Sequence, residues 1–148
     1  MVKIKYLFIA VLFVFTFSIA NLGEKKAPLR ITKKLPVIDK VKMLKLIPAQ
    51  LGFKSVEARK VIKGKEAEAF AALWRSQTFL PYSPECHTPG FAIKLFSKGE
   101  LIVYASLCWD CNTIDFFTPE LSGSFFQGFR GESKKGKEML AFLTEAFS

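Results

Sequence analysis

Residues 7–19 are apolar at every position except Thr16 and Ser18, and two lysines, Lys3 and Lys5, precede the run. Small residues, Ser18 and Ala20, stand three and one positions before a cut after Ala20. This basic, apolar, small-residue order predicts a secretory signal peptide over residues 1–20. The competing reading is a retained anchor, but the run is shorter than the roughly 20 residues that cross a hydrocarbon core. No Cys lies near the cut, which argues against a lipid anchor there.

Residues 21–36 follow neither the helical nor the strand period and read as an extended lead-in or tether, leaving 37–148 as one domain. Residues 39–47 alternate, with Val41, Met43 and Lys45 on one side and Lys40, Lys42, Leu44 and Leu46 on the other, so a strand is expected. Residues 55–63 suit a second strand, paired through a turn at Gln50, Leu51 and Gly52. After Gly64, the residues Ala67, Phe70, Ala71 and Trp74 repeat at helical spacing, with Glu66 and Glu68 opposing the dipole in the first turn. They predict a helix over 65–77. Residues 91–96 and 100–108 make two β-rich runs around a three-residue link, Ser97-Lys98-Gly99. That turn sets Phe96 opposite Glu100, Leu95 opposite Leu101 and Ile93 opposite Val103. Met139, Phe142, Leu143, Ala146 and Phe147 again repeat at helical spacing. Lys134, Lys135 and Lys137 carry the wrong sign for its first turn, so fraying before Glu138 is expected. The expected fold is α+β: an antiparallel sheet of about four strands in β-β-α-β-β-α order, with both helices on its apolar face.

The 148 residues hold 22 Lys+Arg against 13 Asp+Glu, a formal +9. Removing the signal leaves +7, divided into +10 over residues 21–65 and −3 over 66–148. The charge therefore belongs to one half. Lys outnumbers Arg there and no aromatic stacking pattern is interleaved, so a nucleic-acid partner is not expected and a solvated Lys-rich face is the plainer reading. No transmembrane segment remains once the signal is cut.

Three cysteines and the single histidine gather near the second hairpin. Extending its register places Cys86 and Cys108 on one face and Cys111 on the core-facing side with Trp109 and His87, with Pro84 and Pro89 able to reset it. A structural disulfide from Cys86 to Cys108 or Cys111 suits an exported domain and leaves the odd thiol buried. A zinc site of Cys86, His87, Cys108 and Cys111 has suitable ligand types, but His87 adjoins Cys86 and no second Cys-x-x-Cys exists. A redox pair within Cys108-Trp109-Asp110-Cys111 lacks the helix N-terminus that stabilises a thiolate. A cysteine nucleophile with His87 as base, oriented by Asp110 or Asp115, has spacing alone in its favour.

The run Cys86-His87-Thr88-Pro89-Gly90-Phe91, a short hairpin, then Cys108-Trp109-Asp110-Cys111-Asn112 resembles a pattern in small, uncharacterised exported bacterial proteins. There a Cys-x-x-Pro segment precedes a hairpin ending in Cys-aromatic-x-Cys. The resemblance covers residues 86–112. It implies an exported, three-cysteine hairpin protein and carries over no reaction, substrate or catalytic residue.

Residues 118–131 place Phe125, Phe126 and Phe129 among serines and glycines, in a loop that either tucks its rings into the core or presents them as a binding patch. The functional expectation is a secreted or periplasmic, non-enzymatic binding or inhibitory domain. It needs no cofactor, and its partner is a protein or another envelope component. The alternative is a zinc-binding or thiol-redox protein built on Cys86, His87, Cys108 and Cys111.

Overall fold

The computed structural model describes residues 34–48, 54–80, 86–117 and 125–148. The expected signal at 1–20, most of the lead-in at 21–36 and the turn at Gln50, Leu51 and Gly52 lie outside them. Among these described residues seven strands and two helices follow in chain order: β1 (Lys40–Pro48), β2 (Lys54–Lys63), α1 (Lys65–Arg75), β3 (Phe79–Leu80), β4 (Phe91–Ser97), β5 (Glu100–Cys108), β6 (Thr113–Phe117), β7 (Phe125–Phe129) and α2 (Lys134–Glu145). The strands form one sheet in the order β2-β1-β4-β5-β6-β7-β3, each neighbouring pair antiparallel.

The expectation of an α+β fold with about four strands in β-β-α-β-β-α order is thus corrected. Among the described residues the protein is mostly sheet, with seven strands and β3, β6 and β7 inserted into that order. Thr113–Phe117 is a five-residue alternation, short enough to be taken for the tail of the cysteine segment. In Phe125–Phe129, Gly128 and the flanking serines and glycines mask the period. Pairing with Thr113–Phe116 supplies what local preference does not.

One face of the sheet is built on alternation. Val41, Met43, Ile93, Leu95, Val103, Ala105, Leu107, Ile114 and Phe116 are buried, and they meet Ala67, Phe70, Ala71 and Trp74 of α1 and Met139 and Leu143 of α2. Trp74 is fully buried, with its ring edge-on to Phe79 and Phe116. Gln77 Nε2 donates to Leu73 O (2.9 Å) and to Lys135 O (3.0 Å), tying the end of α1 to the start of α2.

Helix α2 is helical from Lys134, so the expected fraying before Glu138 does not occur. The Ser133 hydroxyl accepts from the Gly136 amide at 3.0 Å, and Lys135 and Lys137 pair with Glu138 and Glu132. A side-chain cap outweighs unfavourable dipole charges that are exposed to solvent. Gly136 also lets this turn press against the carbonyls of Arg130 and Gly131, where any Cβ would collide.

Residues just before β1 are held by α1. Glu68 accepts from Arg75 at 2.6 Å and from the Ile38 amide at 3.0 Å, and Arg75 donates to Pro36 O at 2.9 Å. The Arg75 hydrogen bond in particular holds the Glu68 carboxyl below its ordinary value.

The β4–β5 turn differs from the three-residue expectation. Ser97 pairs with Glu100, and the link is Lys98-Gly99, both at positive φ (50° and 87°), the geometry of a two-residue hairpin turn. A bulge at Leu95/Phe96 then shifts the ladder, so Leu95 faces Val103 and Ile93 faces Ala105. Beyond the bulge the displacement is two residues from the expected register, and an even shift keeps Ile93, Leu95, Val103 and Ala105 on their intended face.

The second face is ordered in rows by the same pairings. The first row is Lys63-Lys40-Phe96-Leu101 and the second Val61-Lys42-Lys94-Tyr104-Phe117. The third is Arg59-Leu44-Ala92-Ser106-Asp115-Phe126. In the third row Ala92, Ser106 and Asp115 are buried, whereas no residue of the first two rows is.

Candidate functional site

Residues 86–90 run over this end of the sheet as a strap, and His87 within it bonds to Ser106 of the third row. At its C-terminal end Gly90 continues the ladder, donating to Leu107 O at 3.1 Å and accepting from the Leu46 amide at 2.8 Å. At its N-terminal end Cys86 is joined to Cys111 by a disulfide, with the Cα atoms 5.8 Å apart. Between them His87 lies against the sheet. Its Nδ1 is 2.8 Å from Thr113 Oγ1 and its Nε2 is 2.8 Å from Ser106 Oγ.

The proton positions follow from the next bond out. The Thr113 hydroxyl donates to Cys86 O at 3.2 Å. Having spent its only proton, it accepts from Nδ1–H, and in the neutral ring Nε2 then accepts the Ser106 proton. The Phe126 ring stands edge-on to the imidazole, with centroids 5.3 Å apart.

Residues 109–112 form the turn from β5 to β6. Asn112 takes positive φ (51°), its carbonyl accepts from the Phe129 amide at 2.9 Å, and its Oδ1 accepts from the Gly131 amide at 3.1 Å. Trp109 points to the core side, edge-on to both Phe91 and Phe129. Cys108 is a free, buried cysteine, and its sulfur accepts from the Cys111 amide at 3.3 Å.

The structure therefore brings Cys86, His87, Cys108 and Cys111 to one end of the hairpin, with a different division from the expected one. His87 is on the face away from the helices, and Cys111, in the turn, is bonded to Cys86. The bulge and the departure of the strap from regular pairing reset the register at this end, as such features do. With Cys86 and Cys111 joined, the four proposed zinc ligands do not stand as a set. Among the described residues no group of three or more His, Cys, Asp or Glu is placed to hold a metal.

Asp110 is exposed on the turn, and Asp115 lies directly opposite Ser106 in the ladder. The place on Nδ1 of His87 that a catalytic orienting carboxylate would engage is taken by the Thr113 hydroxyl. Ser106 and Thr113 were not singled out by sequence. Their signal was polarity inside otherwise apolar strands, but bonds spanning 19 and 26 residues are visible only once the strap is placed.

The three phenylalanines separate. Phe129 is fully buried in the core, and Phe125 packs partly buried against it. Phe126 is 43% exposed, with its ring edge-on to His87. Among the described residues no helix is long and apolar enough to cross a membrane.

No protein-family model matches the chain, and searches of curated proteins and of solved structures also returned no match.

Proposed function

We propose that this chain is an exported, non-enzymatic binding or inhibitory domain whose cysteine cluster is structural. The observation that carries this reading is the strap. The Cys86–Cys111 disulfide fixes one end, Gly90 fixes the other, and both His87 nitrogens are engaged with sheet hydroxyls between them. Every one of these bonds serves to hold residues 86–90 on the sheet. A bridge closing a loop of this size belongs to an oxidising compartment, in keeping with the signal expected at residues 1–20.

The test is the intact mass of the protein recovered from the compartment where it accumulates. The expected chain starts at Asn21, is two hydrogens lighter than its reduced form, and shows one alkylatable thiol, Cys108, after unfolding. Three alkylatable thiols, or a stoichiometric metal on the reduced chain, would overturn it in favour of the zinc alternative. The position of Cys108 favours one further reading, thiol exchange. A Cys108 thiolate attacking Cys111 Sγ would form a Cys108–Cys111 bond and release Cys86 as thiolate, with no outside oxidant. Peptide mapping that finds Cys86 alkylated in the oxidised protein would establish that exchange.

A further inference from the structure

We infer that the uncovered part of the second sheet face, its first two rows, is a docking surface for an anionic phospholipid surface. The inference deepens the binding-domain reading and rests on it for the compartment. The rows hold four lysines, Lys63, Lys40, Lys42 and Lys94, and no acidic residue, with Arg59 adjoining in the third row. Lys40 stands directly opposite Lys63, and Lys42 directly opposite Lys94. Like charges facing one another across strands destabilise a sheet. Two such pairs side by side make a concentrated positive field whose natural complement is an external anion.

The rings in the same rows decide among anions. Lys40 Nζ lies 4.2 Å and Lys42 Nζ 5.4 Å from the Phe96 ring centre, and Lys94 Nζ lies 4.4 Å from that of Tyr104. Ring faces occupied by ammonium groups are not open platforms for stacking bases or sugar rings, the feature that single-stranded nucleic-acid binders depend on. Lysine also presents a point charge rather than the planar fork that pairs with carboxylates on an acidic protein. The second row ends in apolar side chains on both sides, Val61 at 47% and Phe117 at 37% exposure. It crosses five strands, about 19 Å at the usual strand spacing. A broad face with ammonium groups in the middle and apolar side chains at the margins matches a layer of phosphate headgroups over acyl chains.

The test is flotation of the purified, oxidised protein with phosphatidylcholine vesicles, with and without phosphatidylglycerol. Binding is expected only where phosphatidylglycerol is present, weakening as salt rises. At about five-fold per lysine near a charged surface, the pair Lys42→Gln/Lys94→Gln should weaken it about 25-fold. Lys134→Gln/Lys137→Gln, with the same change of net charge on α2, should change it less than about two-fold. The basic lead-in is common to all variants, and thermal unfolding of each confirms that it is folded. Equal binding to both vesicle types, equal loss in the two variants, or binding displaced by a soluble acidic polypeptide at low concentration would overturn the proposal. Failure of the export reading is seen separately, as residues 1–20 retained in the mass.

Discussion

The two faces of this sheet are covered by different physics. On one, two helices bury Phe70, Trp74, Met139 and Leu143 against aliphatic and aromatic side chains drawn from six strands. On the other, among the described residues, a five-residue strap covers one end, held by a disulfide, two hydroxyl–imidazole bonds and a ladder continuation at Gly90. The first kind of cover is non-directional and grows with area. The second relies on a few directional bonds, so loss of any one has a local consequence. The helical layer therefore governs whether the domain folds, and the strap governs which part of the second face is left open. Sub-global opening of the strap should occur below the free energy of global unfolding.

The largest expected effect is on the helical side. Trp74→Ala removes a fully buried indole that touches Phe79 and Phe116. It should cost about 4 kcal/mol in urea unfolding of the oxidised protein. A loss under about 1 kcal/mol would mean that the helical layer does not dominate.

Next comes the staple. Cys86 and Cys111 are 25 residues apart, and opening a loop of that length should cost about 3 kcal/mol. Cys86→Ser/Cys111→Ser should show that loss, and reductant should produce the same shift in the parent chain but none in the variant. A variant as stable as the oxidised parent would show that the strap does not contribute to folding.

Below that lies His87→Ala, which takes the imidazole from Ser106 and Thr113, both buried, and leaves Thr113 its bond to Cys86 O. Leaving such groups unsatisfied costs about 2 kcal/mol. Hydrogen exchange should separate it from the core variant. Amide protection should fall at Gly90 and Thr113 while Ile93 and Val103 remain protected, whereas uniform loss would make the strap part of the global core.

How far these regions could be read from sequence follows the same division. Features set by local period were legible. The spacing of Phe70, Ala71 and Trp74 located α1, and the alternation around Val41 and Met43 located β1. The even repeat of side chains kept Ile93, Leu95, Val103 and Ala105 on one face even though the turn at Lys98-Gly99 and the bulge moved the ladder by two residues. Features set by long-range pairing were not. Phe125–Phe129 becomes a strand by pairing with β6 and β3 on either side, against a local composition that favours a loop. Within the cluster, the sequence offered a structural bridge from Cys86 to Cys108 or Cys111, beside a redox pair of Cys108 and Cys111. The choice fell to Cys111 because the turn at residues 109–112 places it beneath the strap, and that turn depends on Asn112 bonding to residues of β7 and beyond.

The smallest effect has the opposite sign, and it bears on the uncovered part of the second face. Lys42 faces Lys94 directly, and its contact with the Phe96 ring, at 5.4 Å, is the weaker of two, since Lys40 lies closer at 4.2 Å. Replacing Lys42 by Gln removes a like-charge pair and leaves the better ring contact in place. Lys42→Gln alone should therefore stabilise the domain by about 0.3 kcal/mol at low salt. The gain should disappear near 1 M salt, where screening acts over about 3 Å. A gain that persists at high salt would assign it to side-chain propensity instead of charge. A loss would mean that the lysine supports the sheet. A salt-dependent gain would mark Lys42 as a residue held at some expense to stability, as a charge kept for an external anion should be, in contrast to Trp74, which is fully buried in the core.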